Sequence, residues 1–323
     1  MTPAAKRPET LQQAIEYFSD ADRCFAYVVQ MRWPTGKVAC PSCGSENVGF
    51  IETRKLFECR NKNVGLDHKR QFSIKVGTIF EDSPLPLKSW LLAMWMAVNC
   101  KNGVSSYEVH RAIKVTQKSA WFMLHRIRLA MQAKDGGKLG GEVEADESYI
   151  GGRARFMHKH RRDQVQRGRG ASKVAVMGLL QRTSADRKSK VRLQVVKSIK
   201  RPFIQSEVRK NVEAGSTLYT DQLQSYAGLD RDYVHGVIDH AEAYVDGQVH
   251  TNGMENFWSL LKRTIKGTYV SVEPFHLFRY LDEQAYRFNE RGGNDGDRFE
   301  LALKSIVGKR IMFKDLTGHQ GVA

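Results

Sequence analysis

The hydrophobic pattern divides the chain into a helical N-terminal part and a C-terminal part in which strands alternate with helices. Residues 9–32 and 87–133 carry apolar residues at the spacing of amphipathic helices. Between them, a C-x-x-C sequence at 40–43 opens a strand-and-turn region that extends to about residue 80. Pro84 and Pro86 mark the boundary before the second helical part, because proline resists helix formation.

The C-terminal periodicity is typical of a sheet covered by helices. Alternating segments predict half-buried strands, whereas a continuous apolar run predicts a strand that is buried on both faces. Their order predicts an α/β fold with a mixed sheet and flanking helices. The predicted segments are strands at 142–150, 174–182, 191–199, 216–222 and 232–240, and helices at 201–212, 252–266, 274–290 and 298–308.

The composition adds a strongly basic character. The 323 residues hold 51 Lys and Arg against 35 Asp and Glu, a net charge of +16, and the pI is about 9.6. This excess favours a nucleic-acid partner, although a basic ribosomal or membrane-surface protein would share it. The longest apolar run, Trp90–Cys100, is too short to span a bilayer, and the first residues show no secretory signal. We therefore expect a cytoplasmic protein without a membrane partner.

The cysteines favour a metal site over disulfides, because their number is odd and three of them are clustered. Cys40 and Cys43 form a C-x-x-C turn, and Gly44 lets that turn tighten around a metal ion. Cys59 and His68 supply two more ligand types, so the spacing predicts a Cys3His zinc ribbon. A redox C-x-x-C pair, unrelated thiols or a ribbon without metal remain alternatives.

Residues 103–132 predict a helix, a turn and a second helix. Gln117 and Lys118 lie at the start of the second helix, the end that meets bases or phosphates in helix-turn-helix proteins, and Arg126 adds basic character further along. An ordinary helical hairpin is the alternative. Residues able to cap the helices precede each of them: Ser105 or Ser106, and Thr116.

Acidic residues of three predicted elements form a candidate metal site. Glu142, Glu144 and Asp146 are spaced two residues apart, so they share one face of a strand, where carboxylates are costly unless paired or metal-bound. Asp221 ends a second strand and Glu255 opens a helix. Such acids could converge on two Mg²⁺ ions, which prefer oxygen ligands and support phosphodiester chemistry. A solvated strand face and two helix caps would explain the same acids.

Several segments together resemble one family. "EADESYIGGR", "LYTDQLQSY", "HTNGMENFWSLLKRTIKGTY" and "HLFRYLDEQAYRFNER" are similar to the catalytic segments of ISXO2-like transposases of the IS1595 insertion-sequence family. "CPSCGSENV", "GTIFEDSPLPLKSWLLAMWM" and "KSAWFMLHRIRLAM" resemble its zinc ribbon and helical region. The resemblance covers roughly residues 10–310.

The resemblance implies an RNase H-like catalytic domain with an acidic triad on two divalent metal ions, Mg²⁺ or Mn²⁺. Asp146, Asp221 and Glu255 match the three acids, and Lys262 matches a basic residue that contacts phosphate. Some relatives have an asparagine at the third position, so Asn252 is an alternative to Glu255. The ribbon also departs from the family, because Cys59 and His68 stand where relatives have a second C-x-x-C.

A basic stretch follows the first acidic strand. Residues 153–173 contain eight Lys or Arg and one Asp, which favours contact with DNA phosphates over a merely solvated insertion. The residues expected to make this contact are Arg153, Arg155, Lys159, Arg161 and Arg162.

These observations predict a DNA transposase that binds the terminal inverted repeats of its own element and joins the cut ends to target DNA. Synapsis of two ends implies at least a homodimer, acting on the bacterial nucleoid. A DNA-binding regulator without catalysis, or a nuclease that cuts without joining, are alternatives. The expected division is an N-terminal helix and zinc ribbon at 9–82, a helix-turn-helix-like region at 84–133, a linker at 134–141 and the catalytic domain at 142–310.

Overall fold

The computed structural model describes residues 7–65, 67–132, 137–151, 173–221, 224–238 and 250–317. The chain forms two compact units. The first comprises Met1–Gln132 together with Gly292–Ala323, and the second comprises Ala133–Arg291. No helix within the described ranges is long and apolar enough to cross a membrane.

The first unit begins with two helices and a small antiparallel sheet. Helices α1 (Leu11–Tyr17) and α2 (Ala21–Arg32) divide the helical segment predicted at 9–32, because the Asp20 side chain accepts backbone N–H groups and starts the second helix. The strands pair in chain order: β1 (Val48–Ile51), β2 (Leu56–Cys59) and β3 (Gln71–Phe72).

Three further helices follow, and they confirm the predicted helix, turn and helix. Ser105 caps the second of them by accepting the Glu108 amide N–H, and Glu108 accepts the Ser105 amide N–H in return. Thr116 caps the third by accepting the Ser119 amide N–H. The three helices are α3 (Leu87–Asn99), α4 (Ser106–Ile113) and α5 (Gln117–Met131).

The second unit is α/β and is built on a five-stranded mixed sheet, as the periodicity predicts. In chain order its elements are β4 (Glu142–Ile150), β5 (Val174–Gln181), β6 (Lys190–Val195), α6 (Arg201–Asn211), β7 (Thr217–Asp221), β8 (Val234–Ile238), α7 (Asn252–Thr264) and α8 (Leu277–Asn289). The strand order is β6-β5-β4-β7-β8. Strands β6, β5 and β4 pair antiparallel, whereas β4, β7 and β8 pair parallel.

Helices cover both faces of this sheet because successive strand residues point to opposite sides. Val143 of β4 packs with Ile204 of α6 on one face. Val176 of β5 packs with Phe257 of α7 on the other face. Asp146 belongs to the α7 face, since Trp258 of α7 donates a hydrogen bond to it. Asp146 on the central strand of the sheet therefore faces α7.

The N-terminal boundary of this unit differs from the prediction of a linker at 134–141. Leu139 is buried in the core of the second unit and forms a β-bridge with Val212. Its amide N–H donates to the carbonyl of Asn211 over 2.8 Å. Leu139 and Gly140 are therefore buried in the second unit, because one apolar residue among glycines is enough to anchor this segment.

The C-terminal boundary also differs from the predicted value of 310. Helices α9 (Asp295–Lys304) and α10 (Phe313–Thr317) belong to the first unit. The Phe299 ring centroid lies 5.6 Å from that of Phe18 and 5.1 Å from that of Trp95. The second unit thus ends near Arg291. The sequence could not show this, because an amphipathic pattern reveals that a helix has an apolar face but not which core that face joins.

Candidate active site and zinc site

Four potential metal ligands gather beside the small sheet of the first unit. The ligand atoms of Cys40, Cys43, Cys59 and His68 all lie within 4.8 Å of one another. Cys40 Sγ lies 3.6 Å from His68 Nε2, and Cys43 Sγ lies 3.6 Å from Cys59 Sγ. In a tetrahedron with Zn–S bonds of about 2.3 Å, sulfur atoms lie about 3.8 Å apart, so the set fits a structural zinc ion. These are the four residues predicted from the spacing.

The turn between the first two ligands depends on Gly44. Its φ of 72° lies in the left-handed region, which glycine adopts without strain. Its amide N–H donates to the Cys40 carbonyl over 2.8 Å, which closes the turn. Cys40 and Cys59 are buried, whereas Cys43 is exposed and His68 is partly exposed, so the cluster lies at the protein surface.

A cleft of about 570 Å³ lies between β4 and one side of α7 in the second unit. Acidic residues of β4 line one side of the cleft, and basic residues of α7 and the segment after it line the other. Three residues predicted from the sequence meet there: Asp146, Glu255 and Lys262. The remaining lining residues are Glu147, Ser148, Trp258, Ser259, Arg263 and Lys266.

Asp221 reaches the same end of the sheet through the parallel pairing of β4 with β7. Glu144 pairs with Tyr219, so Asp146 and Asp221 each lie two residues beyond these last paired positions. Adjacent strands are about 4.8 Å apart, which brings the two aspartates near each other. The parallel register of β4 and β7 therefore places two of the acids that were expected to converge on neighbouring strands.

The environment of Asp146 disfavours its ionised form. Burial, and to a smaller extent the charges of Asp221 and Glu255, raise the pKa of Asp146 to about 6. Two hydrogen bonds oppose this shift: Trp258 Nε1–H donates over 2.9 Å, and the Glu147 amide N–H donates over 2.8 Å. The charges of Asp221 and Glu255 are thus close enough to Asp146 to add to the effect of burial.

Asn252 and Glu255 share the first turn of α7 but differ in their relation to the cleft. Both side chains are exposed. Among the described residues, Glu255 lines the cleft and Asn252 does not. The geometry therefore favours Glu255 as the third acid, the choice that the sequence left open.

The sequence analysis missed Trp258, which donates to Asp146 and is 4% exposed. The signal was present, because Trp258 follows Glu255 by three residues and precedes Lys262 by four, the spacing of one helix face. Its approach depends on Gly178 of β5, which pairs with Asp146. A Cβ on Gly178 would lie 2.7 Å from Trp258 Cζ2, so a larger residue would displace the helix.

Glu147 is a second missed residue of the cleft. Its carboxylate accepts a hydrogen bond from the Tyr226 hydroxyl. Burial, aided by the charges of Asp146 and Asp221, raises the pKa of Glu147 to about 7. Its position directly after Asp146 in "ADES" gave no sign of this, since an adjacent strand residue points to the other face.

The predicted DNA contacts of the first unit have different environments. Lys118 is exposed, and its Nζ lies over the Phe313 ring at 4.7 Å from the centroid. The Gln117 side chain is partly buried and donates to Ser106 Oγ, so it links α5 to α4. Arg126 is 3% exposed.

The prediction that Arg126 contacts DNA is wrong for this structure. Its guanidinium donates to the carbonyl oxygens of Ile79, Glu81 and Ile311. It faces the interior because these carbonyls need donors there, and helical spacing alone could not show that. The basic stretch that contains Arg153, Arg155, Lys159, Arg161 and Arg162 lies outside the described residues.

Comparisons with known proteins agree with this arrangement. A family model described as the ISXO2-like transposase domain matches residues 138–289, and one described as the transposase zinc-ribbon domain matches residues 19–61. An uncharacterized protein in transposable element ISH50 of Halobacterium salinarum is 29% identical over 277 residues, which are 83% of this chain and 90% of that protein. An uncharacterized transposase-like protein of Haemophilus influenzae is 31% identical over 103 residues, 32% of this chain and 83% of that protein. The chain therefore belongs to the ISXO2-like transposases of the IS1595 family.

Proposed function

We propose that this chain is a DDE-type DNA transposase that binds the terminal inverted repeats of its insertion sequence and catalyses strand cleavage and strand transfer. The observation that carries the proposal is the cleft that Asp146, Glu255 and Lys262 share, with Asp221 at the same end of the sheet. Acids from two adjacent strands and a facing helix, next to a basic helix side, suit a phosphodiester substrate.

We assign the second unit to the RNase H-like fold. Its sheet has three antiparallel strands followed by two parallel ones, with helices on both faces. The acid pair lies on the two central strands, β4 and β7, and the third acid comes from a helix on the α7 face. Membership of the transposase family supports the same assignment.

The acids of the cleft fit divalent cations such as Mg²⁺ or Mn²⁺. The donor set is all oxygen, which these ions prefer, and nearby positive charge would offset the burial and the neighbouring negative charges that raise the pKa of Asp146. Bound cations would activate the attacking oxygen and stabilise the leaving oxygen. Asp146, Asp221 and Glu255 would hold them, with Asn252 as the alternative to Glu255.

The chain's other residues would orient the acids and the DNA. The Trp258 indole fixes one carboxylate oxygen of Asp146 by donating to it. The exposed ammonium of Lys262 would bind a phosphate of the DNA strand, and Arg263 and Lys266 extend this basic surface. The positive charges of these residues would hold the DNA strand close to the acidic residues.

The first unit and the basic stretch at 153–173 would supply most of the DNA affinity. Lys118 and Gln117 at the start of α5 would contact the inverted repeat, and the zinc ribbon would hold the N-terminal part in shape. Joining two ends to a target requires at least a homodimer in action. We place the protein in the cytoplasm, on the bacterial nucleoid.

The decisive experiment incubates the full chain with a duplex that carries the element's inverted repeat, a target duplex and Mg²⁺. We expect cleavage that leaves a 3′-hydroxyl, followed by joined product. Cleavage without joining would support a nuclease instead, and binding without metal-dependent cleavage would support a regulator. Glu255→Gln and Asn252→Ala assayed in parallel decide the third ligand: we expect loss of cleavage with the first and near wild-type cleavage with the second.

A further inference from the structure

The first turn of α7 is capped from a distant strand. Thr251, which precedes the helix, makes no side-chain hydrogen bond to that turn. Instead, the Met254 amide N–H donates to Glu144 Oε2 over 2.8 Å. Glu144 lies on β4 and is 1% exposed. A carboxylate in this place satisfies a free helical N–H and interacts favourably with the helix dipole.

The buried charge of Glu144 is balanced by Arg182. Arg182 Nε donates to Glu144 Oε1 over 2.8 Å, and Arg182 Nη2 donates to the His250 carbonyl over 2.6 Å. The same guanidinium lies over the Tyr219 ring, 4.2 Å from its centroid, and donates to Glu142 over 3.1 Å. Arg182 therefore joins Glu144 to the chain segment that leads into α7.

The close contact requires a glycine in the helix. A Cβ added to Gly253 would lie 2.8 Å from Glu144 Oε2, nearer than real Cβ contacts allow. Even alanine would require either the Glu144 carboxylate or the first turn of α7 to move, and either movement would disturb the bond to the Met254 amide. The glycine and the glutamate thus depend on each other.

The strand and the helix are matched in length between two anchor points. Glu144 holds Met254, and Asp146 holds Trp258. Two residues of a strand rise about 6.7 Å, and four residues of a helix rise about 6 Å, so both anchors can form together. Glu255 lies between the two anchored positions of the helix.

We propose that Glu144 is a positioning residue that fixes the first turn of α7 and so holds Glu255 against Asp146. The inference rests on the proposed function, because the placement of Glu255 matters only if the acids bind divalent cations. Both oxygens of Glu144 already accept hydrogen bonds, from Arg182 and from Met254, which assigns it to support rather than to the metal.

Two full-length variants disturb this contact from opposite sides: Glu144→Gln removes the charge, and Gly253→Ala adds the obstructing methyl group. Glu142→Gln is the matched control, because Glu142 shares Arg182 but not the Met254 amide, and its side chain is 43% exposed. We measure amide hydrogen exchange of the peptide covering residues 251–258 and Mn²⁺ affinity by calorimetry. Zinc content and thermal unfolding report whether each variant is folded.

We expect faster exchange at the start of α7 and about 10- to 100-fold weaker Mn²⁺ binding in both variants, with wild-type behaviour in the control. Unchanged exchange and affinity in both variants would overturn the inference. Weaker Mn²⁺ binding with unchanged exchange would also overturn it, because Glu144 would then act through charge alone. If Glu144→Gln fails to fold, Gly253→Ala decides. A wild-type chain that neither binds Mn²⁺ nor cleaves end DNA would instead remove the proposed function beneath it.

Discussion

The zinc cluster and the proposed cation site of the carboxylate cleft are two sets of side chains that the chain assembles in opposite ways. The cysteine and histidine ligands come from one small sheet and its turns, and their atoms lie within 4.8 Å of one another. The acids come from two strands and a helix spread over more than a hundred residues. Among the residues that the structure describes, they do not form a set as tightly gathered as the zinc ligands.

The difference follows from charge and enclosure. The zinc ligands form a complete set of four for a tetrahedral site, which is typical of a structural zinc ion, and two of them are buried. Asp146 and Glu255 line an open cleft, and burial together with the charges of Asp221 and Glu255 raises the pKa of Asp146. Cations bound in an open cleft can also contact substrate, whereas a zinc ion with four protein ligands has no free coordination position. Substitutions at four positions test this difference between the two sites.

The largest effect is expected from loss of a zinc ligand. Cys59→Ala should abolish zinc binding and unfold the ribbon, because metal binding supplies on the order of 10 kcal/mol of folding free energy in small zinc domains. Elemental analysis and thermal unfolding measure both effects. Cys100→Ala should retain one zinc ion per chain. Full zinc content in the Cys59 variant would contradict the ligand assignment.

Loss of a cleft acid should affect chemistry and leave the fold intact. Asp221→Asn should lower end cleavage roughly a thousandfold or more, equivalent to about 4 kcal/mol in the barrier, because the amide cannot balance the metal charge. Its zinc content should equal that of the wild type. Asp186→Asn, which changes an exposed acid of the same unit, should cleave normally. Substantial cleavage by the Asp221 variant would refute the assigned triad.

The raised pKa of Asp146 predicts how stability depends on pH without divalent cations. The folded state holds this proton up to about pH 6, whereas the ordinary value is 3.8. Between these values the folded state binds more protons than the unfolded state, so stability falls as pH rises from about 4 to 7, by about 2–3 kcal/mol. Asp146→Asn should remove this loss and be the more stable protein at pH 8.

Thermal unfolding of the second unit at pH 5 and pH 8 measures the effect. Added Mg²⁺ should raise the unfolding temperature of the wild type at pH 8 and leave that of the Asp146 variant unchanged. Equal pH dependence in the two proteins would show that the folded state does not raise the pKa of Asp146.

The smallest effect is expected at the basic side of the cleft. Lys262→Met should weaken cleavage about tenfold, because one charge-assisted hydrogen bond from an exposed ammonium to phosphate contributes about 1.5 kcal/mol. Lys210→Met changes an exposed lysine on α6, which covers the other face of the sheet, and should have little effect. Equal losses in both variants would reduce Lys262 to a contributor to general charge.

The two sites also differ in how far the sequence predicts them. Cys40, Cys43 and Cys59 stand out because thiolates at ribbon spacing have few other uses, and the whole site is nearly local in the chain. Asp146 stands out because acids at period two are unusual on a buried strand. Neither the segment around Asp146 nor that around Asp221 predicts that the two residues are close. Their proximity arises from the parallel register of β4 and β7.

The missed and wrong predictions have a common physical cause. Glu144, Trp258 and Gly178 acquire their roles only when α7 lies on the sheet, and no local pattern encodes that contact. Arg126 was predicted on a DNA-binding surface because its charge suggested exposure, yet carbonyl groups from two other segments surround it. Tertiary hydrogen bonds determine whether such side chains are buried or exposed, and the periodicity of the sequence does not reveal those bonds.

The return of the chain to its first unit has a consequence for synthesis. The Phe299 ring completes the apolar core around Phe18 and Trp95, and Ile79 donates its amide N–H to the Ile306 carbonyl. The first unit therefore stays incomplete until the ribosome has synthesised Gly292–Ala323, whereas the second unit already has its full sequence by Arg291. A nascent transposase would possess its proposed cutting domain before its proposed DNA-recognition domain is finished.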